Sequence, residues 1–338
     1  MKRLAGWLLV IVVAVVIAIG ALIVLAEVRP YKGYAQAEQF VDIPPGAGPA
    51  SIGRRLVEAG VIRDTLGFRF ELARTRTGRR LQAGEYRFDR PMTVREVVAK
   101  IAHGDVYLLP ITFREGLRIR EMAQVFESKG FGTAAEFIAA ASDAGPIHDI
   151  DPAARDLEGY LFPDTYAMPR HATAAPLVAR MVAGFERVLT PKRRAEAQAR
   201  GLSVRELVTL ASIVEKETGK AEERPLVAAV YANRLKIGMG LQCDPTVIYA
   251  LERAGRYDGN LTRENLQFDS PYNTYRYAGL PPGPIASPGQ ASLEAAAHPA
   301  DVPYVYFVSR GDGSHAFATT LDEHNRNVFE FQIKPNRK

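Results

Sequence analysis

The segment SVRELVTLASIVEKET, residues 203–218, is apolar along most of its length and ends on two glutamates. Its apolar residues recur at helical spacing, which predicts a buried α-helix. Ser203 and Glu206 have the spacing of a capping box, so the helix should begin here. A buried helix needs a core around it, and a chain of 338 residues can supply one, with room for about two domains.

Glu217 lies on the apolar face of this predicted helix, because the residues four and seven positions before it are Ile213 and Leu210. Glu215 falls roughly 200° away, on the other side. A carboxyl group against apolar walls has a raised pKa, as a general acid at neutral pH requires. The ordinary alternative is a salt bridge at the helix end with a neighbouring cation: Lys216, Lys220 or Arg224.

Residues 5–26, AGWLLVIVVAVVIAIGALIVLA, contain no charged side chain. At ~1.5 Å per residue such a helix crosses the ~30 Å hydrocarbon layer of a bilayer. Lys2 and Arg3 precede the run, so we predict a signal anchor with residues 1–4 in the cytoplasm and all that follows the anchor outside. A cleaved signal peptide is the alternative, although its apolar core is usually shorter. Residues 27–38 form a polar juxtamembrane linker.

The sequence offers little for a metal or cofactor. Cys243 is the only cysteine, which excludes an internal disulfide and a cysteine zinc cluster. His315 and His324 lack the close His or carboxylate spacing of a metal site. No phosphate-binding glycine loop and no G-x-S-x-G nucleophile motif is present. We therefore predict that the protein uses no metal and no cofactor.

Positive charge is concentrated on a predicted helix and the turn after it. The arginines there are Arg69, Arg74, Arg76, Arg79 and Arg80, within a chain of net charge +5. Outside the cytoplasm such a surface favours an anionic polymer or lipid headgroups and argues against nucleic acid. A solvated helix face is the ordinary explanation.

The first half of the extracytoplasmic part predicts short strands that lead into amphipathic helices. The strands cover 39–43, 84–88 and 109–113, and the helices include 50–59 and 119–129. Thr93 and Glu96 form a second capping-box pair. The fold class is therefore α+β. In pattern, residues 39–113 are similar to a LysM-like module, a fold associated with glycans that contain N-acetylglucosamine. A larger α+β catalytic domain over 114–333 should bury the Glu217 helix behind an open groove.

The last third of the chain is dense in polar, aromatic and proline-rich loops. Asp244 followed by Pro245 predicts a helix N-cap and first helical position. The segment 279–289, GLPPGPIASPG, predicts a rigid surface loop. Residues 304–308, YVYFV, predict a buried strand.

Several long motifs carry a resemblance to a known family. They are LVTLASIVEKET (207–218), VYANRLKIGMGLQCDPTVIYAL (230–251), SPYNTYRYAGLPPGPIASPG (270–289) and AAAHPADVPYVYFVS (295–309). In this order, and with the N-terminal anchor, they resemble the MltG/YceG family of endolytic murein transglycosylases. The resemblance covers nearly the whole chain.

The resemblance implies a lyase of the cytoplasmic (inner) membrane that cuts peptidoglycan strands internally between MurNAc and GlcNAc, leaving 1,6-anhydroMurNAc ends. It implies Glu217 as the catalytic residue, with Glu215 in a supporting role. It also implies a role in ending nascent strands, and hence cell-wall synthases as partners. Our candidates for holding the glycan are Gln242, Asp244, Tyr272, Asn273 and Tyr275.

Two other functions stay open at this point. A glycan-binding scaffold of the cell-wall machinery would need no acid, and the intact Glu217 argues against it. A hydrolytic muramidase would need a second carboxylate within roughly 5–9.5 Å of Glu217. Asp244 and Glu223 are the candidates for that second group. In a lytic reaction one carboxyl group suffices, because the C6 hydroxyl of the substrate replaces water.

Overall fold

The computed structural model describes residue 14 and residues 29–335. The predicted span over 5–26 and the cytoplasmic residues 1–4 therefore lie, apart from residue 14, outside the described part. Among the described residues, no helix is both long and apolar enough to cross a bilayer. The chain divides into two compact units. The first unit ends at Leu109 and also includes Ala167–Arg170. The second unit consists of Pro110–Tyr166 and the chain from His171 onward.

The first unit folds around a two-stranded antiparallel sheet. Its elements in chain order are β1 (Gln39–Ile43), α1 (Pro49–Glu58), α2 (Thr65–Thr75), β2 (Gly84–Phe88) and α3 (Val94–His103). The register pairs Gln39 with Phe88 and Ile43 with Gly84. Alternate strand residues such as Val41 and Tyr86 pack with the apolar faces of the three helices to form the core. The capping box of Thr93 and Glu96 begins α3, as predicted.

The second unit is mostly helical. It contains α4 (Ile119–Ser128), α5 (Ala134–Ala141), α6 (Ala174–Val188), α7 (Pro191–Ala199), α8 (Val204–Glu217), α9 (Arg224–Lys236), α10 (Asp244–Arg253), α11 (Gln290–Ala297) and α12 (Leu321–Val328). Strands β3 (Leu108–Thr112) and β4 (Thr165–Pro169) pair with each other, and each has residues assigned to both units. Finally, β5 (Tyr306–Ser309) pairs antiparallel with β6 (His315–Ala318). The predicted α+β class is confirmed.

The helix α8 is the centre of the second unit. Ser203 caps it, accepting from the Glu206 amide at 3.2 Å, while Glu206 accepts from the Ser203 amide at 2.8 Å. Residues 207–214 are all buried, against α9, α10 and α11. A helix that is apolar on every side in its middle must be enclosed, so it meets solvent only at its two ends, the first turn with Glu206 and the last turn with Glu217.

Three local predictions need correction. Asp244 is the first residue of α10 and Cys243 is its N-cap, because the chain turns one residue earlier than the Asp-Pro pair suggested. Most of the loop 279–289 is buried on α8, where its backbone amides find side-chain partners. The strand predicted over 304–308 is shifted to Tyr306–Ser309, and of its residues only Val308 is fully buried.

Candidate active site

Glu217 is the last residue of α8 and is partly exposed. The hydroxyl of Tyr231, from the second turn of α9, donates to Glu217 Oε1 at 2.6 Å. Tyr231 itself is buried, with its ring edge-on to Phe307. The Cys243 thiol faces the same carboxyl group. One oxygen of Glu217 is thus held from inside the protein, which fixes the orientation of the carboxyl group.

The surroundings of Glu217 favour its protonated form. Desolvation by burial of the carboxyl group raises its pKa, and the negative charge of Asp244 adds to the increase. Hydrogen bonds from Tyr231 and Cys243 oppose it, and so does the charge of His315. Over the described residues, none of the three neighbouring cations forms an ion pair with Glu217, and Arg224 lies 3.6 Å from Glu215 instead. The salt-bridge alternative for Glu217 is therefore wrong.

Asp244 and Tyr275 form an exposed pair beside Glu217. The Tyr275 hydroxyl donates to Asp244 Oδ1 at 2.6 Å. Burial raises the pKa of Tyr275, and the hydrogen bond to Asp244 and the charges of Asp244 and Glu217 add to the increase. Tyr275 is 37 % exposed, enough to offer its ring to a ligand. This pair gives the site a carboxylate and an aromatic surface next to the acid.

The backbone around Asp244 is fixed by one residue of the opposite loop, Thr274. Its carbonyl accepts from the Gln242 amide at 3.1 Å, and its hydroxyl accepts from the Cys243 amide at 2.9 Å. Gln242 has φ = 50°, a left-handed conformation that a non-glycine residue adopts at a cost. The two hydrogen bonds to Thr274 hold Gln242 in this conformation, and the Gln242 side chain is exposed.

Asn273 is fully buried and its side-chain amide is occupied. Nδ2 donates to the carbonyls of Leu266 and Phe268 at 3.0 and 2.7 Å, and Oδ1 accepts from the Tyr275 amide at 3.0 Å. Both amide hydrogens therefore have partners within the protein. The structure places Asn273 behind Tyr275, at a position where it holds the loop.

Tyr272 lies away from this group, in a cavity of about 280 Å³. Its ring packs against Tyr249 at 4.9 Å, with the Arg253 guanidinium 5.7 Å from the ring centre. Glu158 lines the same cavity, and burial raises its pKa to about 8. The five predicted binding residues thus divide: Gln242, Asp244 and Tyr275 lie with Glu217, Asn273 lies behind them, and Tyr272 lines a second cavity.

Glu215 projects to the other side of α8, as its helical angle predicted. Its Oε2 accepts from the Gly289 amide at 3.0 Å, at the end of the buried proline-rich loop. In the same loop the Ile285 amide donates to Ser212 Oγ at 3.0 Å. Glu215 and Ser212 therefore attach the loop to the helix that carries Glu217.

Two residues of the site were not predicted from the sequence. Tyr231 was predicted only as part of a helix. The signal that could have identified it is its position in an apolar run, because the hydroxyl of a buried tyrosine needs a hydrogen-bond partner. His315 was considered only as a metal ligand. In the structure its Nδ1 lies 2.7 Å from Glu223 Oε2, and its amide donates to Oε1 at 2.9 Å. Burial opposes ionisation of Glu223, but these bonds outweigh it and lower its pKa.

Within residues 29–335, no group of three or more His, Cys, Asp or Glu side chains is arranged to hold a metal ion. The groups that the structure brings together at the site are an acid whose protonated form is favoured, a carboxylate close to it, and exposed groups suited to a polar ligand.

Comparison with known proteins gives consistent matches over almost the whole chain. The model of the YceG-like family matches residues 41–330. The endolytic murein transglycosylase of Bacillus subtilis strain 168 is 30% identical over 325 residues, which cover 92% of this chain and 89% of that protein. The protein of the same name from Streptococcus pneumoniae D39 is also 30% identical over 91% of this chain, which spans 61% of the streptococcal length.

A solved structure agrees with these sequence matches. The crystal structure of a YceG-like protein from Listeria monocytogenes superimposes with a TM-score of 0.58 at 31% identity. The match covers 86% of this chain and 98% of the listerial chain.

Proposed function

Since the chain belongs to the YceG-like family, we propose that it is an endolytic peptidoglycan transglycosylase, a lyase that cleaves between MurNAc and GlcNAc inside glycan strands. The products would carry 1,6-anhydroMurNAc ends. The observation that carries this proposal is Glu217, a partly exposed carboxyl group whose pKa is raised by burial and which an internal tyrosine orients. Relatives covering most of the chain are named for this activity.

One carboxyl group can perform both proton transfers of this reaction. Protonated Glu217 gives its proton to the glycosidic oxygen as the bond to the MurNAc anomeric carbon breaks. The C6 hydroxyl of the same MurNAc then attacks that carbon, and ionised Glu217 removes the C6 proton. The cycle returns Glu217 to its protonated state and consumes no water. Tyr231 keeps one oxygen in place, so the other serves both transfers.

Asp244 would stabilise the positive charge that develops on the sugar ring. Its carboxylate is close enough to Glu217 to raise that pKa, and the Tyr275 hydroxyl fixes its position. The exposed Tyr275 ring and the Gln242 side chain would hold the sugars on either side of the bond. Asn273 would position Tyr275, and Tyr272 would contact the strand in its own cavity. Glu215 would keep the proline-rich loop on α8.

The rest of the proposal concerns location and partners. Residues 5–26 would anchor the chain in the cytoplasmic membrane, with the catalytic domain outside, and residues 39–113 would bind glycan as a LysM-like module. Cutting strands near the membrane would end their elongation, which makes cell-wall synthases the expected partners. The regular strand and helix pattern of the first unit supports the module, and the apolar run supports the anchor.

The mass of the cleavage products tests the proposed reaction. The full chain in detergent would be incubated with purified, uncross-linked glycan strands, alongside the variant Glu217→Gln. Internal fragments ending in 1,6-anhydroMurNAc, absent with the variant, are expected. Reducing ends heavier by one water would mean a hydrolytic muramidase, with Asp244 as the second carboxylate. Binding without cleavage by either protein would identify a glycan-binding scaffold and overturn the proposal.

The Asp244–Tyr275 pair predicts that two substitutions of Tyr275 affect different kinetic constants. Tyr275→Phe removes the hydrogen bond to a charged carboxylate and should lower kcat about tenfold, or about 1.4 kcal/mol in the transition state, with little change in KM. Tyr275→Ala also removes the ring and should raise KM. Steady-state kinetics on strands of uniform length would measure both.

Tyr277→Phe is the matched control for this pair. Tyr277 is exposed on the same loop and its hydroxyl donates to Asp269 at 2.7 Å, so the same type of bond is lost away from Glu217. Its kinetics should equal those of the wild type. Equal losses in the Tyr275→Phe and Tyr277→Phe variants would show that the loop responds as a whole and that Asp244 has no special role.

A further inference from the structure

Two large apolar side chains on α2 are exposed in the first unit. Leu66 is 73 % exposed and Phe70 is 48 % exposed. They are four residues apart, one turn, and therefore lie on the same face of the helix. Neither is needed for the core of this unit, which α2 joins through Phe68 and Leu72. We call Leu66, Phe70 and the groove beside them the α2 patch.

The groove beside these side chains is apolar. It is a cavity of about 380 Å³ between α2 and the segments around Tyr31 and Met92, which form an isolated antiparallel bridge. Val61, Ile62 and Val94 complete its walls. An exposed apolar surface of this kind, with polar residues around it, marks a site of interaction.

The segment that carries the α2 patch is strongly positive, and two of the residues that line the groove, Arg29 and Arg63, are arginines. Residues 63–80 contain six arginines and two carboxylates, a net charge of +4 in a chain whose total is +5. Both carboxylates are occupied within the fold: Asp64 accepts from the amides at the start of α2, and the buried Glu71 binds Arg74. The Arg63 guanidinium lies 5.0 Å from the Tyr31 ring at the edge of the groove.

We propose that the α2 patch docks on the surface of an anionic phospholipid bilayer. Leu66 and Phe70 would enter the boundary between headgroups and acyl chains, and the surrounding arginines would contact lipid phosphates. Arg29, which lines the groove, follows the apolar run 5–26 by only a few residues. This proposal rests on the proposed anchoring by that run, which would deliver the patch to the membrane surface.

Lipid fits the α2 patch better than a glycan strand or a second copy of the chain. Glycan sites combine flat rings with polar groups that bind the sugar hydroxyls, whereas the surface of this groove is mainly apolar. The positive segments 63–80 of two copies would repel each other if the patches faced each other. An anionic bilayer supplies both an apolar layer and the opposite charge.

Tryptophan quenching in nanodiscs tests the proposal with the full chain. Trp7 is the only tryptophan and lies in the predicted anchor, so its quenching by lipids brominated on the acyl chain reports anchoring alone. In a Trp7→Phe background, Phe70→Trp places the single tryptophan in the α2 patch. In the same background, Ile237→Trp places it at a control site: Ile237 follows the last residue of α9 and is 64 % exposed. Each variant would be measured in phosphatidylcholine discs with and without phosphatidylglycerol.

We expect brominated anionic discs to lower the fluorescence of a tryptophan at position 70 roughly twofold, and brominated phosphatidylcholine discs to lower it less. The fluorescence of a tryptophan at position 237 should not change. Quenching at Trp7 without quenching at position 70 would overturn docking and leave the anchor intact. A chain that does not enter discs would overturn the anchor, and docking with it. A blue shift at position 70 that grows with protein concentration without lipid would instead identify a second copy as the occupant, against the proposal.

Discussion

Replacing Glu217 by glutamine is expected to lower kcat for strand cleavage by roughly 10²–10⁴-fold, the usual contribution of a general acid. Glutamine keeps an oxygen for the Tyr231 hydroxyl and nearly the same volume, so the fold around the end of α8 should be preserved. What it lacks is the proton for the glycosidic oxygen. Single-turnover cleavage of glycan strands, followed by separation of the fragments, would measure the loss.

Glu215→Gln is the control for this substitution. It makes the same chemical change two residues away on α8. The Glu215 carboxylate accepts a hydrogen bond from the Gly289 amide, and the amide oxygen of glutamine can accept the same bond. Its kcat should fall far less, because no proton is transferred at that site. Similar losses in both variants would mean that the end of α8 is sensitive to any loss of charge, and the assignment of Glu217 as the acid would be wrong.

The helix periodicity of residues 203–218 was sufficient to place Glu217 correctly, because the position of a residue around a helix depends only on local geometry. The capping boxes of Ser203 and Thr93 were predictable for the same reason. The positions of the Asn273 and Tyr272 side chains were not predictable in this way. Each is a polar residue in a loop, and whether such a side chain faces a ligand, another loop or a second cavity depends on long-range packing that one sequence does not contain.

Glu223 and His315 show the same limit. They are far apart in sequence, and nothing in the spacing of either indicates that the short turn before α9 meets the start of β6. The proline-rich loop was misjudged for a related reason. Proline and glycine indicate that a segment is neither helix nor strand, but they do not say whether its amides will be satisfied by water or, as here, by Ser212 and Glu215.

The second large effect should appear in the dependence of kcat/KM on pH. The free enzyme must hold the proton on Glu217, so kcat/KM should fall about tenfold per pH unit once the pH exceeds the folded-state pKa of that group. Burial raises that pKa above the ordinary glutamate value, and this moves the decline toward neutral pH. The residual activity of Glu217→Gln should lack this descending limb.

Glu158 is a group outside this site that could give a similar profile, since burial raises its pKa to about 8. Glu158→Gln retains an oxygen for the Ile119 amide, which now donates to Oε1 at 3.1 Å. If the decline belongs to Glu217, it should persist unchanged in Glu158→Gln. Loss of the decline in that variant would transfer the titration to the second cavity and remove the pH argument for Glu217.

The stability of Glu217→Gln gives an independent measure of the same titration. A carboxyl group whose folded-state pKa is raised stabilises the fold fully below its unfolded-state pKa, about 4.3 for glutamate, and this stabilisation is lost as the pH rises through the folded-state value. Glutamine does not titrate. The melting temperature of the variant should therefore rise relative to the wild type over that interval and keep a constant advantage above it. A difference that is the same at every pH would mean that the pKa of Glu217 is unshifted, and the acid would have to be sought elsewhere in the site.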